Sequence, residues 1–343
     1  MMEFLDDVDR FDFDIDVRKG QLKTTLNCLE YFDDHEYEQR FRLTKESTRL
    51  LNNLLSPYIE EKKKSWSLSR IDKIMIALRY YACGSIQRLI GDFHHVDQST
   101  ISRSINTVTN AICLLRDSYI KRYDSISTTK AGFYTIAEFP NVIGCIDGTH
   151  VKLQKPSLPN AEDFINRKGF CSINCQVVCD DQYRIIDIVV RWPGSVHDAR
   201  VFDNSTLKVS LEENHHNGVL LGDNAYPSRQ YLLTPLLQPQ TTQQRAYNSS
   251  HIKTRNVIER CFGILKRRFL CLQYGLRHSA RRSCKIILAT AILHNFIIEH
   301  QKENCNVYTD VPQINEENEI LPVAPNTGAG NHFRNAFIEN HFH

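Results

Sequence analysis

The sequence predicts an α/β protein led by an all-α unit with helix-turn-helix character. From about residue 41 to 130 the apolar residues recur at helical spacing. From about residue 139 they alternate as in strands, and beyond residue 195 strands and helices take turns. With 343 residues the chain is long enough for two domains, or one large domain with an appendage, and for a full hydrophobic core. Four segments are expected: an acidic segment over 1–40, a helical unit over 41–130, an α/β domain over 131–300 and a flexible polar tail over 301–343.

The leading segment holds twelve acidic and five basic side chains, with Asp6, Asp7, Asp9, Asp12, Asp14 and Asp16 close together. That charge is wrong for a secretory or mitochondrial leader. The longest apolar run, Ile286 to Leu293, falls far short of the roughly 20 residues that a membrane-spanning helix needs. An intracellular protein with no membrane partner is the expectation. The eleven cysteines form no Cys-x-x-Cys pair and read as reduced thiols. Cys171, Cys175 and Cys179 would share one strand face, as buried apolar residues rather than as metal ligands.

In the helical unit, Leu43, Leu50, Leu51, Leu54 and Leu55 mark a helix within 41–66 that Pro57 disturbs, and Lys62-Lys63-Lys64 marks an exposed connection. A second helix runs from Ser69 to about Ala82 on the stripe Ile71, Ile74, Met75, Leu78 and Tyr81, and Cys83-Gly84-Ser85 stops it. Ser85 caps a short helix carrying Ile86, Leu89 and Ile90. The chain then turns through His94-His95-Val96, with both histidines as polar turn residues, and Asp97 caps a longer helix to about Leu115. This is helix-turn-helix spacing, which would expose Gln98, Ser99, Thr100 and Arg103 to a DNA groove. A three-helix bundle with a purely structural role has the same pattern.

Strands are expected over Asn141–Leu153, Ser172–Cys179 and Tyr183–Trp192, the last two joined by the turn residues Asp180-Asp181-Gln182. Ser195, with Asp198 three residues on, suits a helix start, and Gly218–Leu221 is a short strand leading into Gly222-Asp223. Residues 234–250 read as a loop rich in Pro, Gln, Thr and Ser, followed by helices over Thr254–Leu270 and Ser283–His300.

Three acids are out of pattern. Asp147 follows the apolar or small residues Gly144-Cys145-Ile146, Asp223 follows Val219-Leu220-Leu221-Gly222, and Glu259 borders the stripe Ile258, Cys261, Phe262, Leu265 and Phe269. Each alone is explained by a cap, a turn or a surface ion pair. Together, two strand-end acids and one helix acid suit two-metal phosphoryl transfer, because Mg²⁺ prefers hard oxygen ligands and two ions about 4 Å apart serve both the attacking and the leaving oxygen. Without metal such carboxylates repel one another. Residues 244–285 carry eleven basic side chains against one acidic, among them Arg255, Lys266, Arg267 and Arg268. That density fits a phosphate backbone, with a solvated helix face as the plainer reading.

The segments Gly144-Cys145-Ile146-Asp147-Gly148-Thr149-His150, Asn166-Arg167-Lys168-Gly169, Trp192-Pro193-Gly194-Ser195-Val196-His197-Asp198, Leu221-Gly222-Asp223-Asn224-Ala225-Tyr226-Pro227 and Ile258-Glu259-Arg260-Cys261-Phe262-Gly263-Ile264-Leu265-Lys266-Arg267-Arg268-Phe269 resemble, in this order, the PIF/Harbinger transposases and their domesticated nuclease relatives. The resemblance covers about 140–300, and more loosely 40–130. It implies an RNase H-like DDE catalytic core in which Asp147, Asp223 and Glu259 form the triad, with 35 residues between the last two. Asp198 is a candidate fourth metal ligand, and as the fourth residue of Ser195-Val196-His197-Asp198 it could equally complete a capping box. Arg167 and Lys168 join Arg255, Lys266, Arg267 and Arg268 as expected DNA contacts.

The activity so implied is a Mg²⁺- or Mn²⁺-dependent endonuclease cleaving DNA phosphodiester bonds, with strand transfer as a further step. A domesticated, non-catalytic DNA-binding or complex-forming protein is the alternative. The expected partners are DNA, a Myb/SANT-like DNA-binding protein and a further copy of the chain. The expected setting is the nucleus, with the cytoplasm as a second location.

Overall fold

A computed structural model of the chain describes residues 27–61, 67–122, 126–157, 159–214, 218–301 and 328–342. The acidic run before residue 27, the Lys62-Lys63-Lys64 connection and the first part of the tail lie outside the described residues.

Eight helices precede the first described strand: α1 (Cys28–Tyr31), α2 (Asp34–Phe41), α3 (Lys45–Leu54), α4 (Arg70–Cys83), α5 (Gln87–His94), α6 (Gln98–Cys113), α7 (Arg116–Tyr119) and α8 (Ile126–Ala137). Their ends follow local chemistry. Arg42, at φ 64°, closes α2, and the Thr44 hydroxyl accepts from the Ser47 N–H to open α3, so the helix expected over 41–66 is confined to ten residues. A reciprocal capping box between Ser69 and Asp72 opens α4. Gly84, left-handed at φ 63°, closes it where a Cβ would lie 2.9 Å from the Cys271 Cα, so only glycine lets α4 and the following chain approach so closely.

Two local expectations change here. The cap position of α5 is Ile86 rather than Ser85, without a side-chain bond. His94 is buried, and burial lowers its pKa to about 4, so it is a neutral core residue and not a polar turn residue.

The sheet has five strands: β1 (Val142–Lys152), β2 (Ser172–Cys179), β3 (Ile185–Pro193), β4 (Val219–Leu221) and β5 (Leu232–Leu233), in the order β3-β2-β1-β4-β5. β1, β2 and β3 are antiparallel neighbours, whereas β4 pairs parallel to β1 and β5 parallel to β4. The molecule is therefore a mixed α/β protein. β2 and β3 meet at the expected turn, where the Asp180 carboxylate accepts from the N–H groups of Gln182 and Arg184. Tyr183 is left-handed there, which delays β3 to Ile185. β2 is buried along its whole length, and its Cys175 and Cys179 are buried free thiols.

Six helices complete the fold: α9 (Asp198–Asp203), α10 (Thr206–Asn214), α11 (Thr242–Arg268), α12 (Leu270–Tyr274), α13 (Ala280–His300) and α14 (Gly328–His341). Strand alternation splits the core in two. Cys145, Cys175, Val177 and Cys179 face a large cluster with Ile258 and Leu265 of α11 and Ile292 of α13. Ile146, Val178 and Leu220 face a smaller one with Phe202, Leu207 and Leu211 of α9 and α10. The large cluster continues into Leu51, Ile74 and Ile105, so the helical unit and the sheet share buried surface. Arg282 donates to the Ser102 hydroxyl at 2.9 Å and Lys285 to Asn110 at 2.7 Å, fastening α13 to α6.

Two expectations about the second half are corrected. α11 begins inside the segment read as a loop, because Thr241 and Gln244 form a capping box and the helix then runs unbroken for 27 residues. Residues 328–341, assigned to a flexible tail, form α14. Its Phe337 stacks on Phe139 with ring centroids 5.6 Å apart, and Phe342 just beyond it packs on Tyr247. Apolar side chains spaced along a polar sequence anchor that end of the chain. Among the described residues no helix is long and apolar enough to cross a membrane.

Candidate active site

β1 runs through the middle of the sheet and delivers Asp147 at its centre. Cys145, Asp147 and Thr149 alternate onto the face covered by α11, where the Cys145 thiol lies 3.6 Å from the Thr254 carbonyl and Lys266 Nζ donates to Thr149 Oγ1 at 2.7 Å. The parallel pairing of Cys145 with Leu221, continued two residues, brings Asp223 alongside Asp147 just past the end of β4. Asp223 Oδ1 accepts from the Ala225 N–H at 3.0 Å, and this local turn orients the carboxylate.

Glu259 enters from α11 through Arg255, one helical turn before it. Arg255 Nη1 donates to Asp147 Oδ2 at 3.0 Å, while Nη2 donates to Glu259 Oε1. A single guanidinium therefore joins a strand acid to a helix acid.

Asp198 arrives from the opposite face of the sheet. It occupies the first turn of α9 with His197 at the cap position, makes no capping bond, and Ser195 lies outside the helix. The capping-box reading is thus excluded. Its Oδ1 accepts from Asn174 Nδ2 at 2.7 Å and lies directly over Gly148.

Burial and neighbouring charge act on Asp147, Asp223 and Asp198. Burial raises the pKa of Asp147, Arg255 opposes the shift, and Asp223 and Glu259 add to it. Burial also raises Asp223, again opposed by Arg255 and reinforced by Asp198. Asp198 is pushed up to about 6 by burial, against its Asn174 hydrogen bond and with help from Asp147. A compact, electron-rich, all-oxygen donor set results.

Residues 146–295, which contain all four acids, match the family described as DDE superfamily endonuclease. The chain is 36% identical over 247 residues to "Putative nuclease HARBI1" of Homo sapiens, covering 69% of this chain and 70% of the relative. It is 30% identical over 344 residues to the Xenopus laevis protein of the same name, covering 98% and 94%. To "Protein ALP1-like" of Arabidopsis thaliana it is 24% identical over 294 residues, covering 79% and 72%. The chain belongs to the DDE superfamily endonucleases. Within them it is homologous to the Harbinger transposase-derived nucleases, as its motifs led one to expect. No solved structure matches it.

DDE endonucleases generally use divalent metals. Here Asp147, Asp198, Asp223 and Glu259 offer the hard oxygen ligands that Mg²⁺ and Mn²⁺ favour. Among the described residues no group of three or more Asp, Glu, His or Cys side chains is placed to hold a metal ion, and the Arg255 guanidinium spans Asp147 and Glu259. The chemistry of the carboxylate oxygens fits a divalent ion.

The basic residues separate into different roles in this DDE endonuclease. Arg167 and Lys168 are exposed on a tight loop that Asn166 organises by accepting from the N–H groups of Lys168 and Phe170, and Arg167 bonds His197 beside Asp198. Lys266 and Arg267 are half-buried on α11. One expected DNA contact is corrected. Arg268 is 1% exposed and bonded to His294 Nδ1 at 2.9 Å, so it belongs to the core between α11 and α13. Arg255 is bonded to Asp147 and Glu259. At the start of α6, Gln98, Ser99 and Arg103 are exposed and Thr100 is half-buried.

Sequence reasoning missed Asn174, Gln176 and Tyr226. All three are buried on the Asp198 side of the sheet, with the Tyr226 hydroxyl 3.5 Å from Gln176 Oε1. The signal was present, because two amides alternating through the apolar β2 place polar groups on one buried face.

Proposed function

We propose that this chain is a divalent-metal-dependent endonuclease that cleaves DNA phosphodiester bonds, with Asp147, Asp223 and Glu259 as the catalytic carboxylates and Asp198 as a fourth metal ligand. The observation that carries this reading is the meeting of Asp147 of β1 and Glu259 of α11 on one guanidinium, with Asp223 and Asp198 near enough to Asp147 to interact electrostatically. The sheet order, with three antiparallel strands followed by two parallel ones, is that expected of an RNase H-like core.

Mg²⁺ or Mn²⁺ held by these carboxylates supplies Lewis-acid stabilisation of the negative charge that develops on the phosphate. The chain's own residues position and neutralise. Gly148 N–H and the stiffness of a central strand hold Asp147, the turn at Ala225 holds Asp223, and Asn174 holds Asp198. Glu259, on the exposed border of α11, has the most freedom to adjust its carboxylate. Arg167, Lys168, Lys266 and Arg267 take the DNA backbone, and Gln98, Ser99, Thr100 and Arg103 approach the duplex from α6. A 3′-hydroxyl released by cleavage serves as the nucleophile if strand transfer follows. The nucleus is the proposed working location, with the cytoplasm as a second one. A Myb/SANT-like partner would add sequence recognition, and a further copy of the chain would allow paired cuts.

The test incubates purified wild type, Asp147→Ala and Glu259→Gln with supercoiled plasmid, with and without Mg²⁺ or Mn²⁺. Nicking or linearisation by the wild type alone, and only with metal, is expected. Equal cleavage by all three proteins would sink the assignment, and metal-independent DNA binding without cleavage by any folded protein would favour a non-catalytic DNA-binding role.

A further inference from the structure

We propose that Arg255 is the internal counter-cation of the carboxylate cluster, holding the place of a divalent ion in the metal-free protein and giving way when the ion binds. The inference rests on the metal-binding reading above and assigns Arg255 a role that DNA contact does not cover.

Three features carry it. First, the guanidinium uses separate nitrogens for acids on separate elements, Nη1 on Asp147 of β1 and Nη2 on Glu259 of α11. A planar fork with fixed N–H directions can bridge two carboxylates in this way, and a lysine point charge cannot. Second, the pair Arg255 and Asp147 is well enclosed, with side chains 16% and 17% exposed. A carboxylate so enclosed is costly without a partner, so the fold needs a cation at this point. Third, the Arg255 and Asp147 nitrogen–oxygen contact uses Oδ2, while Oδ1 is taken by the Gly148 N–H. An ion shared by Asp147 and Glu259 must therefore compete with Arg255 for the same carboxylate oxygens.

The displaced guanidinium remains on the face of α11 that carries Glu259 and stays charged. It is then available to a phosphate approaching the acids, so metal loading and anion binding are linked through one side chain.

The experiment titrates Mn²⁺ by calorimetry into full-length wild type, Arg255→Met and Arg255→Lys, after circular dichroism has established folding. Removing a competitor should tighten Mn²⁺ binding roughly fivefold or more in Arg255→Met. A smaller gain is expected in Arg255→Lys, whose ammonium cannot span both acids. The rise in Tm on adding Mn²⁺ should likewise be larger in the variants. A merely structural arginine would lower Tm without tightening metal binding, so unchanged or weaker Mn²⁺ affinity in the variants overturns the inference while leaving the metal site standing. If Arg255→Met does not fold, the sign of the change in Arg255→Lys decides. Absence of Mn²⁺ binding in wild type and variants alike overturns both this inference and the reading on which it rests.

Discussion

The Asp198 carboxylate rests on Gly148: a Cβ added to that glycine would lie 2.3 Å from Asp198 Oδ1 and 2.5 Å from its Cγ. The residue after Asp147 must therefore lack a side chain for α9 to bring its acid into the cluster. Gly148→Ala is expected to fold, because the atoms a Cβ would meet are the end of the Asp198 side chain, which can retreat, at a cost of about 1–3 kcal/mol from overpacking. Moving the carboxylate by an ångström or so should lower metal-dependent cleavage by about a hundredfold. Plasmid nicking together with thermal denaturation checks this, and full activity in a stable Gly148→Ala protein would remove Asp198 from the site.

Asn174 binds both Asp198 Oδ1 and the Val196 carbonyl, so it orients the acid and the approach to α9 at once. Replacing it with Ala should reduce Mn²⁺ affinity or cleavage by about 10–100-fold, the usual range for a residue that orients a metal ligand. Isothermal titration with Mn²⁺ measures the first effect directly, and Asn174→Asp, which adds a like charge next to Asp198, should not rescue it.

Arg267 and Arg268 are sequence neighbours with opposite expected behaviour. Arg268→Ala removes a buried guanidinium from His294 and should destabilise the fold by about 3–5 kcal/mol. Arg267→Ala should leave Tm nearly unchanged and weaken DNA binding, with a salt dependence shallower by about one counterion. Urea denaturation and fluorescence anisotropy over a salt series separate the two effects.

His251 provides a pH test away from the acids. It is fully buried, with Nε2 bonded to the Leu233 carbonyl at 3.1 Å and Nδ1 without a partner, and burial lowers its pKa to about 3. The unfolded chain takes up the proton near pH 6.5. The folded-state pKa of this base lies below the unfolded value, so its contribution is complete above about pH 6.5 and is lost as pH falls towards 3. Between pH 6.5 and 4.5 wild type should lose about 2–3 kcal/mol relative to His251→Gln, read from parallel denaturation curves. Parallel pH dependence of the two proteins would show that the imidazole is not held neutral.

Much of the fold follows from local rules that a linear sequence carries. Ser69 and Gly84 bound α4 as expected, and the apolar run over Ser172–Cys179 coincides with β2. Asp147 and Asp223 stand out because an acid that directly follows a run of apolar or small residues breaks a short-range pattern. Arg268 shows the boundary of such reasoning. It lies three residues beyond Leu265 and seven beyond Cys261, so its place on the buried stripe of α11 was visible. That a guanidinium could be buried there depends on His294, which α13 brings across from elsewhere in the chain.

By itself the sequence determined the α/β class, the strands and helices that carry Asp147, Asp223 and Glu259, and through its ordered motifs the family. Periodicity, caps and turns act over a few residues and leave their mark in one dimension. Only the tertiary structure decided that Asp198 makes no helix cap and turns its carboxylate to Asn174, that Arg255 bonds Asp147 and Glu259, and that the chain's end is anchored through Phe337 on Phe139. Each of these is a meeting between separate elements. Which side chains meet is set by sheet register and helix packing, and the resulting charge pairing and burial then fix what each residue can do.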